Sequence, residues 1–491
     1  MSYQLNKWFT IIGIASIFLF SVILRFWQLG RFNTLVFDEV YYAKFANNYL
    51  TQTEFFNAHP PLSQYIIAIG IWIGSILPFG QEIVNNETGS TLASWSYRWI
   101  NALTGSFIPV VVGAIAYQLT HRWSYSFIAA LLIALDGLFL VESRYALNNI
   151  YLVIFGLLGH LCLIIALQNN QLKPRKWLAL SGIFFGASAA IKWNGLGFLL
   201  GIYMLWILAW IIQFIAPTKK SEYKFPWQNL TQLNLIKFTL YLFVIPIITY
   251  SLLWIPHIIL NPQYGFWEMQ QQIFSYHQRV GSGPDTHPYC AQWFTWPLMI
   301  RPVVYFYKNT GLLDKPEPSL PPLPPDIGDP KVNPLIFDVH AMGNPILWWL
   351  SVWGILLLIL MLFNRIWHWE KNRQARRKKI KLKQTFQFPP ASEMWLLLYL
   401  IINWMSNFLP WSKVSRCTFL YHYMGALVFA VLAFSWWVDR LLNSRKNYLK
   451  IIGFTTIFIV FLAFVFWMPV YLGLPLSPQD WQLRMWFRSW I

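Results

Sequence analysis

Two carboxylates stand side by side at Asp38 and Glu39, in the stretch VFDEVYYAKFANNYL. Acids are scarce in this chain, with 19 Asp and Glu against 37 Lys and Arg. A positioned carboxylate can take the proton of an attacking hydroxyl, which makes one of them a candidate general base. At i and i+1 the two side chains leave a helix or a strand in different directions. That disfavours the matched pair of a retaining glycosidase, whose carboxyl groups flank the bond about 5 Å apart. One base with one supporting acid is the economical reading, and helix-cap chemistry is the plain alternative. Further along, Arg98, Arg144, Lys192, Arg301, Lys413 and Arg416 supply cations. His59, Glu142, Asn194, His287 and His422 lie in the same stretches. A lipid-linked phosphate suits such a set, because Arg and Lys give charge-assisted hydrogen bonds to phosphate oxygens.

That reading needs all these groups on one side of a membrane. The 491 residues are 56% hydrophobic and only 11% charged, where soluble domains run near a quarter charged. Apolar runs recur at roughly 8–27, 98–119, 124–142, 147–168, 177–192, 195–215, 235–259, 346–367, 394–410, 416–438 and 449–473. Runs of about 18 residues or more cross the hydrocarbon as helices, and their continuity excludes an alternating barrel. The first, Trp8 to Trp27, is too long for a signal-peptide core.

Loop charge gives the orientation. The run Lys371 to Lys383 is densely basic and belongs inside. The same register puts Lys219, Lys220 and Lys224 inside, with Lys173, Arg175 and Lys176, with Arg122, and with Arg440, Arg445 and Lys446. Residues 28–97 and 260–345 then lie outside. The apolar stretch 62–79 opens after Pro60-Pro61 and carries Gly70, Gly74 and Pro78. If it spanned, the N-terminal register would invert, so it is read as an interfacial or re-entrant segment. About eleven spans remain, in an all-α polytopic fold. The organisation is a transmembrane module over 1–260 with its external loop at 28–97, a proline-rich external loop at 261–345, and a helical remainder at 346–491.

The net charge of +18 does not indicate nucleic acid, since its densest run sits where topology and lipid headgroups ask for it. Cys162, Cys290 and Cys417 show no C-x-x-C spacing, so neither a metal site nor a disulfide framework is indicated. The three histidines have no metal-ligand spacing either. Segment 313–335 is dense in proline and reads as an extended connector.

Taken in order, FDEVYYAKFANNYL with HPPLSQY, YRWINALTGSFIPVV, DGLFLVESRYALNN, AAIKWNGL, HPYCAQWFTWPLMIRP, MGNPILWW and LPWSKVSRCTFLYHYMGAL resemble the protein O-mannosyltransferase family. The resemblance runs from about residue 8 to 473. It implies the multi-span GT-C glycosyltransferase fold of eleven spans, with helices of the first external loop lying along the membrane. It implies a polyprenyl-phosphate-mannose donor, a protein Ser or Thr acceptor, no required cofactor or metal, inversion at the anomeric carbon, and a tendency to pair as dimers. By resemblance Asp38 is the base, Glu39 its essential neighbour and Arg98 an essential arginine. Arg144, Lys192, Lys413 and Arg416 occupy matching motif positions and are read as the phosphate cavity. The external loop is too short for the carbohydrate-module insertion of eukaryotic members, which points to a bacterial-type enzyme of the plasma membrane. Asn148-Asn149 stands where a Leu-Asp pair belongs in the family pattern.

Two other readings compete. A transferase with the same donor type would modify a glycolipid or a cell-wall polymer. A transporter or scrambler would want mid-membrane charges and inverted repeats, and no repeat is visible.

Overall fold

The computed structural model describes residues 2–78, 80–168, 174–215, 229–281, 287–313, 317–323, 329–377 and 391–491. The chain is mostly helical. Among the described residues, eight helices are long and apolar enough to cross a membrane. They are α1 (Ser2–Phe26), α4 (Ser94–Thr120), α7 (Asn149–Gln168), α9 (Leu196–Ile215), α10 (Leu235–Leu260), α12 (Pro345–Arg377), α14 (Met424–Leu442) and α15 (Asn447–Leu472). Between them lie α2 (Glu39–Leu50), α3 (Leu62–Ile76), α5 (Trp123–Ala134), α6 (Gly137–Arg144), α8 (Pro174–Ala189), α11 (Phe266–Arg279) and α13 (Ala391–Phe408), and α16 (Pro478–Arg484) closes the chain. Many of the basic-loop residues that set the orientation, among them Lys173, Lys219, Lys220, Lys224, Lys378, Lys379, Lys381 and Lys383, lie outside the described residues.

The expected span 124–142 is not one helix. It breaks into α5 and α6, bent by 60°. Asp136 causes the break: its carboxylate caps α6 by accepting from Phe139 N at 3.0 Å, and it also accepts from Trp348 Nε1 at 2.6 Å. The fifteen residues of α3 extend only about 22 Å, short of a roughly 30 Å hydrocarbon core. Its outer side exposes Ile69, Trp72 and Ile76, as suits a helix lying at an interface.

The fold is not purely helical. A short hairpin pairs β1 (Val84–Asn85) with β2 (Leu92–Ala93), and a three-stranded antiparallel sheet joins β3 (Val303–Asn309), β4 (Ile336–Ala341) and β5 (Pro475–Leu476) in the order β3-β4-β5. It ties the segment after α15 onto the 260–345 loop. A second difference is covalent: Cys290 and Cys417 form a disulfide across 127 residues of sequence. Backbone bonding reinforces it, with Ala291 N donating to Thr418 O at 2.8 Å. Pairing cannot be read from cysteine spacing, so nothing local announced this bridge.

Candidate active site

Asp38 occupies the N-cap of α2, yet its carboxylate makes no cap bond. Among the described residues it accepts no hydrogen bond at all. The residue before it, Phe37, has φ +52°, an uncommon conformation for a bulky side chain and one that concentrates at functional sites. The Phe37 ring stacks on Tyr305 of β3 at 4.1 Å. Burial raises the Asp38 carboxyl to about 6, against the opposing pull of Lys192. Its surroundings also include Glu142, Tyr42, Tyr276, Tyr305 and Tyr421, each within its electrostatic reach.

Glu39 is the opposite case. Its side chain is fully buried and its oxygens are saturated. Oε1 accepts from Arg98 Nε at 2.9 Å and Ala146 N at 2.8 Å. Oε2 accepts from Arg98 Nη2 at 2.7 Å and Val36 N at 2.8 Å. The remaining Arg98 donors go to the carbonyls of Leu29, Phe32 and Thr34. The pair therefore fastens the 29–39 turn to α4 and to the α6–α7 connection. Arg144 works similarly: Nη1 donates to the carbonyls of Leu24, Arg25 and Trp27, capping the C-terminus of α1.

Facing Asp38, a chain of bonds runs from β3 to the α8–α9 turn. The Tyr305 hydroxyl donates to Glu142, and Glu142 accepts from Asn149 Nδ2 at 3.1 and 3.2 Å. Asn149 Oδ1 accepts from Lys192 Nζ at 3.0 Å. Lys192 is buried, lies 5.4 Å over the Tyr421 ring and forms no ion pair among the described residues. Arg416 is half-buried; Nη1 donates to Cys417 O at 3.1 Å, beside the disulfide. Its charge reaches Tyr42, His59, His277 and His422.

His59 packs at 5.1 Å from His277 of α11. Burial foremost, then the nearby cations, holds His59 well below its usual range, and burial takes His277 to about 4. His422 is held by the backbone of Phe419 and packs against Trp411. The exposed His287 lies against Phe419 at the rim. Asn194 is half-buried on the turn after Lys192. Lys413 is exposed, and among the described residues no hydrogen bond or ion pair joins it to the cluster. Arg301 lies further off, bonded to the carbonyls of Pro288 and Ser489. Phe37, Tyr305, Tyr421 and His277 join the cluster without having been singled out in the sequence. The β-branched and aromatic run VVYFY was a readable strand signal for Tyr305.

A first-loop carboxylate facing buried cations at one end of a polytopic helical bundle is the layout of a GT-C glycosyltransferase. The whole-chain fold agrees: it matches the S. cerevisiae protein O-mannosyltransferase Pmt1-Pmt2 complex with TM-score 0.79 at 13% identity, covering 98% of this chain and 92% of that one. The Archaeoglobus fulgidus oligosaccharyltransferase matches at TM-score 0.51 and 14% identity, over 96% of this chain and 57% of that one. In sequence, residues 15–259 match the dolichyl-phosphate-mannose-protein mannosyltransferase model, and 262–490 the C-terminal four-span region of protein O-mannosyltransferase. The chain belongs to the protein O-mannosyltransferase family. The polyprenol-phosphate-mannose–protein mannosyltransferase of Mycolicibacterium smegmatis is 23% identical over 96% of this chain and 91% of its own length.

Proposed function

We propose that Asp38 is the general base of this mannosyltransferase, and that Lys192 and Arg416 hold the phosphate of its lipid donor. The enzyme transfers mannose from a polyprenyl-phosphate-mannose donor to protein. In this reading Asp38 takes the proton of an acceptor Ser or Thr hydroxyl. The hydroxyl oxygen bonds to the anomeric carbon as the bond from that carbon to the phosphate oxygen breaks. The charge left on the polyprenyl phosphate is met by Lys192 and Arg416. Direct displacement with a single base inverts the anomeric centre. Glu39, Arg98 and Arg144 hold the loop instead of touching donor; Glu142, Tyr305 and Asn149 hold Lys192. His59 and His277 are held neutral and so add no charge to the site. Lys413 takes no part.

One observation carries this reading: of two adjacent acids, Glu39 has every oxygen engaged while Asp38, at a helix N-cap, leaves its carboxylate unused. The chain is a multi-pass membrane protein, and we place its site on the outer face of a bacterial plasma membrane. The Cys290–Cys417 bridge beside Arg416 supports that side, because disulfides persist in oxidising compartments. Pairing with a second chain is part of the same reading, the S. cerevisiae relative being a two-chain complex. Membranes containing the full chain, labelled polyprenyl-phosphate mannose and a Ser/Thr peptide provide the test. The peptide becomes labelled with wild type and not with Asp38→Asn. Equal labelling by both removes Asp38 from the chemistry, and label appearing in envelope lipid alone favours a glycolipid acceptor.

A further inference from the structure

A groove of about 730 Å³ lies along α11, lined by the amides of Gln263, Gln271 and Gln272 and by Ser275, with Phe56 and Tyr276 at one side and one residue of each charge, Glu268 and Arg279. This is the size of a ligand cleft, for which about 300–1,000 Å³ is usual. The groove meets the Asp38 cluster through Tyr276 and His277 of α11. Tyr276 lines the groove, stacks obliquely on Phe56 at 5.8 Å, and stands in the electrostatic field of Asp38 and Arg416. The next residue, His277, faces the cavity side against His59.

The helix is held firmly. Met269 and Ile273 are buried against Trp254. Gln270 accepts from Tyr250, whose hydroxyl accepts in turn from Trp193 Nε1 at 3.0 Å. That pins α11 to the turn carrying Lys192. Gln271, Gln272 and Ser275 are left on the outward side, with no side-chain hydrogen bond among the described residues.

From this geometry we infer that the α11 groove seats the acceptor polypeptide in extended form, delivering its Ser or Thr past Tyr276 to Asp38. The inference rests on the mannosyltransferase reading above and extends it to substrate recognition. The lining chemistry selects the occupant. A glutamine amide offers a donor and an acceptor together, the same complement as a peptide unit. A row of such amides binds a backbone without reading side chains, as edge-strand recognition does. A polyprenyl tail would want continuous apolar walls, and Gln263, Gln271, Gln272 and Ser275 interrupt them.

The test uses the full-length enzyme in detergent or vesicles with Ser/Thr peptides of increasing length. The Gln271→Ala/Gln272→Ala double variant removes two amide contacts. The peptide KM rises about tenfold, while the KM for polyprenyl-phosphate mannose and the kcat are unchanged. Gln271→Trp, which blocks the groove, raises the KM of long peptides more than that of a blocked single threonine. A photo-crosslinking residue at position 272 captures added peptide, and unlabelled peptide competes it away. Unchanged peptide KM in both variants overturns the inference, as does a crosslink to the lipid donor in place of the peptide. The crosslink does not require turnover, so it reads the groove separately from the transfer chemistry.

Discussion

Behind the start of α2, Glu39 and Arg98 spend all their hydrogen-bonding capacity on the protein itself, and Arg144 turns Nη1 onto three carbonyls; in front of it, Asp38, Lys192 and Arg416 leave most of theirs open. Both clusters are buried or half-buried, and both mix acids with bases. The difference is in what completes them. A buried charge needs a partner, and the rear cluster finds it in carbonyls and an ion pair. The front cluster is incomplete as folded, and a donor phosphate with an acceptor hydroxyl would complete it. Charge alone therefore does not mark a ligand site in this chain; unspent hydrogen-bonding capacity does.

The sharpest way to break this contrast is to remove one member from each side. Asp38→Asn keeps size and fold and removes the proposed base. The kcat falls about 10²- to 10⁴-fold, with the melting temperature unchanged. Arg98→Ala acts on the rear cluster and leaves the Glu39 charge buried without its partner. Such a loss costs about 3–5 kcal/mol, read as lowered thermal stability of the purified protein with loss of activity alongside. Were Arg98→Ala to keep its stability and lose only donor affinity, Arg98 would belong to the front cluster, as its motif position alone suggests.

The split between the clusters was only partly legible in the sequence. The acid pair and the apolar helices could be read from residue type and hydropathy. Adjacency argued for one base and one supporting acid, and the family resemblance said which was which. What could not be read was where each arginine points, because a motif position fixes the backbone and not the hydrogen-bond partners. Arg98 and Arg144 looked like Lys192 and Arg416 for that reason. The α5–α6 break did carry a signal, since Asp136-Gly137 interrupts the apolar run with an N-cap residue, but hydropathy outweighed it. The Cys290–Cys417 bridge and the contact of His277 with His59 depend on tertiary packing and left no local trace.

Within the front cluster, Lys192→Ala tests the phosphate assignment. Its ammonium is held by the neutral Asn149 amide, so it stays available to an anion. Losing one charged hydrogen bond costs about 1.5–3 kcal/mol, seen as a donor KM or kcat/KM weakened roughly tenfold to hundredfold. Asn149→Asp would set a second acid against Glu142 and Lys192 and is expected to weaken the donor in the same direction.

The pH profile follows from the Asp38 carboxyl, raised to about 6 chiefly by burial. The base works ionised, so kcat/KM is full above that value and falls as pH drops through it. The slope below the midpoint is about tenfold per pH unit, equivalent to about 1.4 kcal/mol. Asp38→Asn abolishes this limb. His277 titrates lower, near 4, and does not set it. A limb that survives in Asp38→Asn with residual activity would assign the titration to another group.

The smallest effect makes the finest comparison, between Lys413 and Arg416. They lie three residues apart in one motif and have the same charge. Lys413 is exposed, whereas Arg416 is half-buried in a segment bridged to Cys290 and lies among His59, His277 and Tyr42. Surface substitutions away from such features stay within about 0.5 kcal/mol, so Lys413→Ala should change donor KM by less than about twofold. Arg416→Ala should weaken donor binding in the manner of Lys192→Ala. Equal losses at the two positions would mean that the donor phosphate is met by the diffuse positive field of the motif and not by the one cation the bridge holds inward, and the line drawn between spent and unspent charge would have to move.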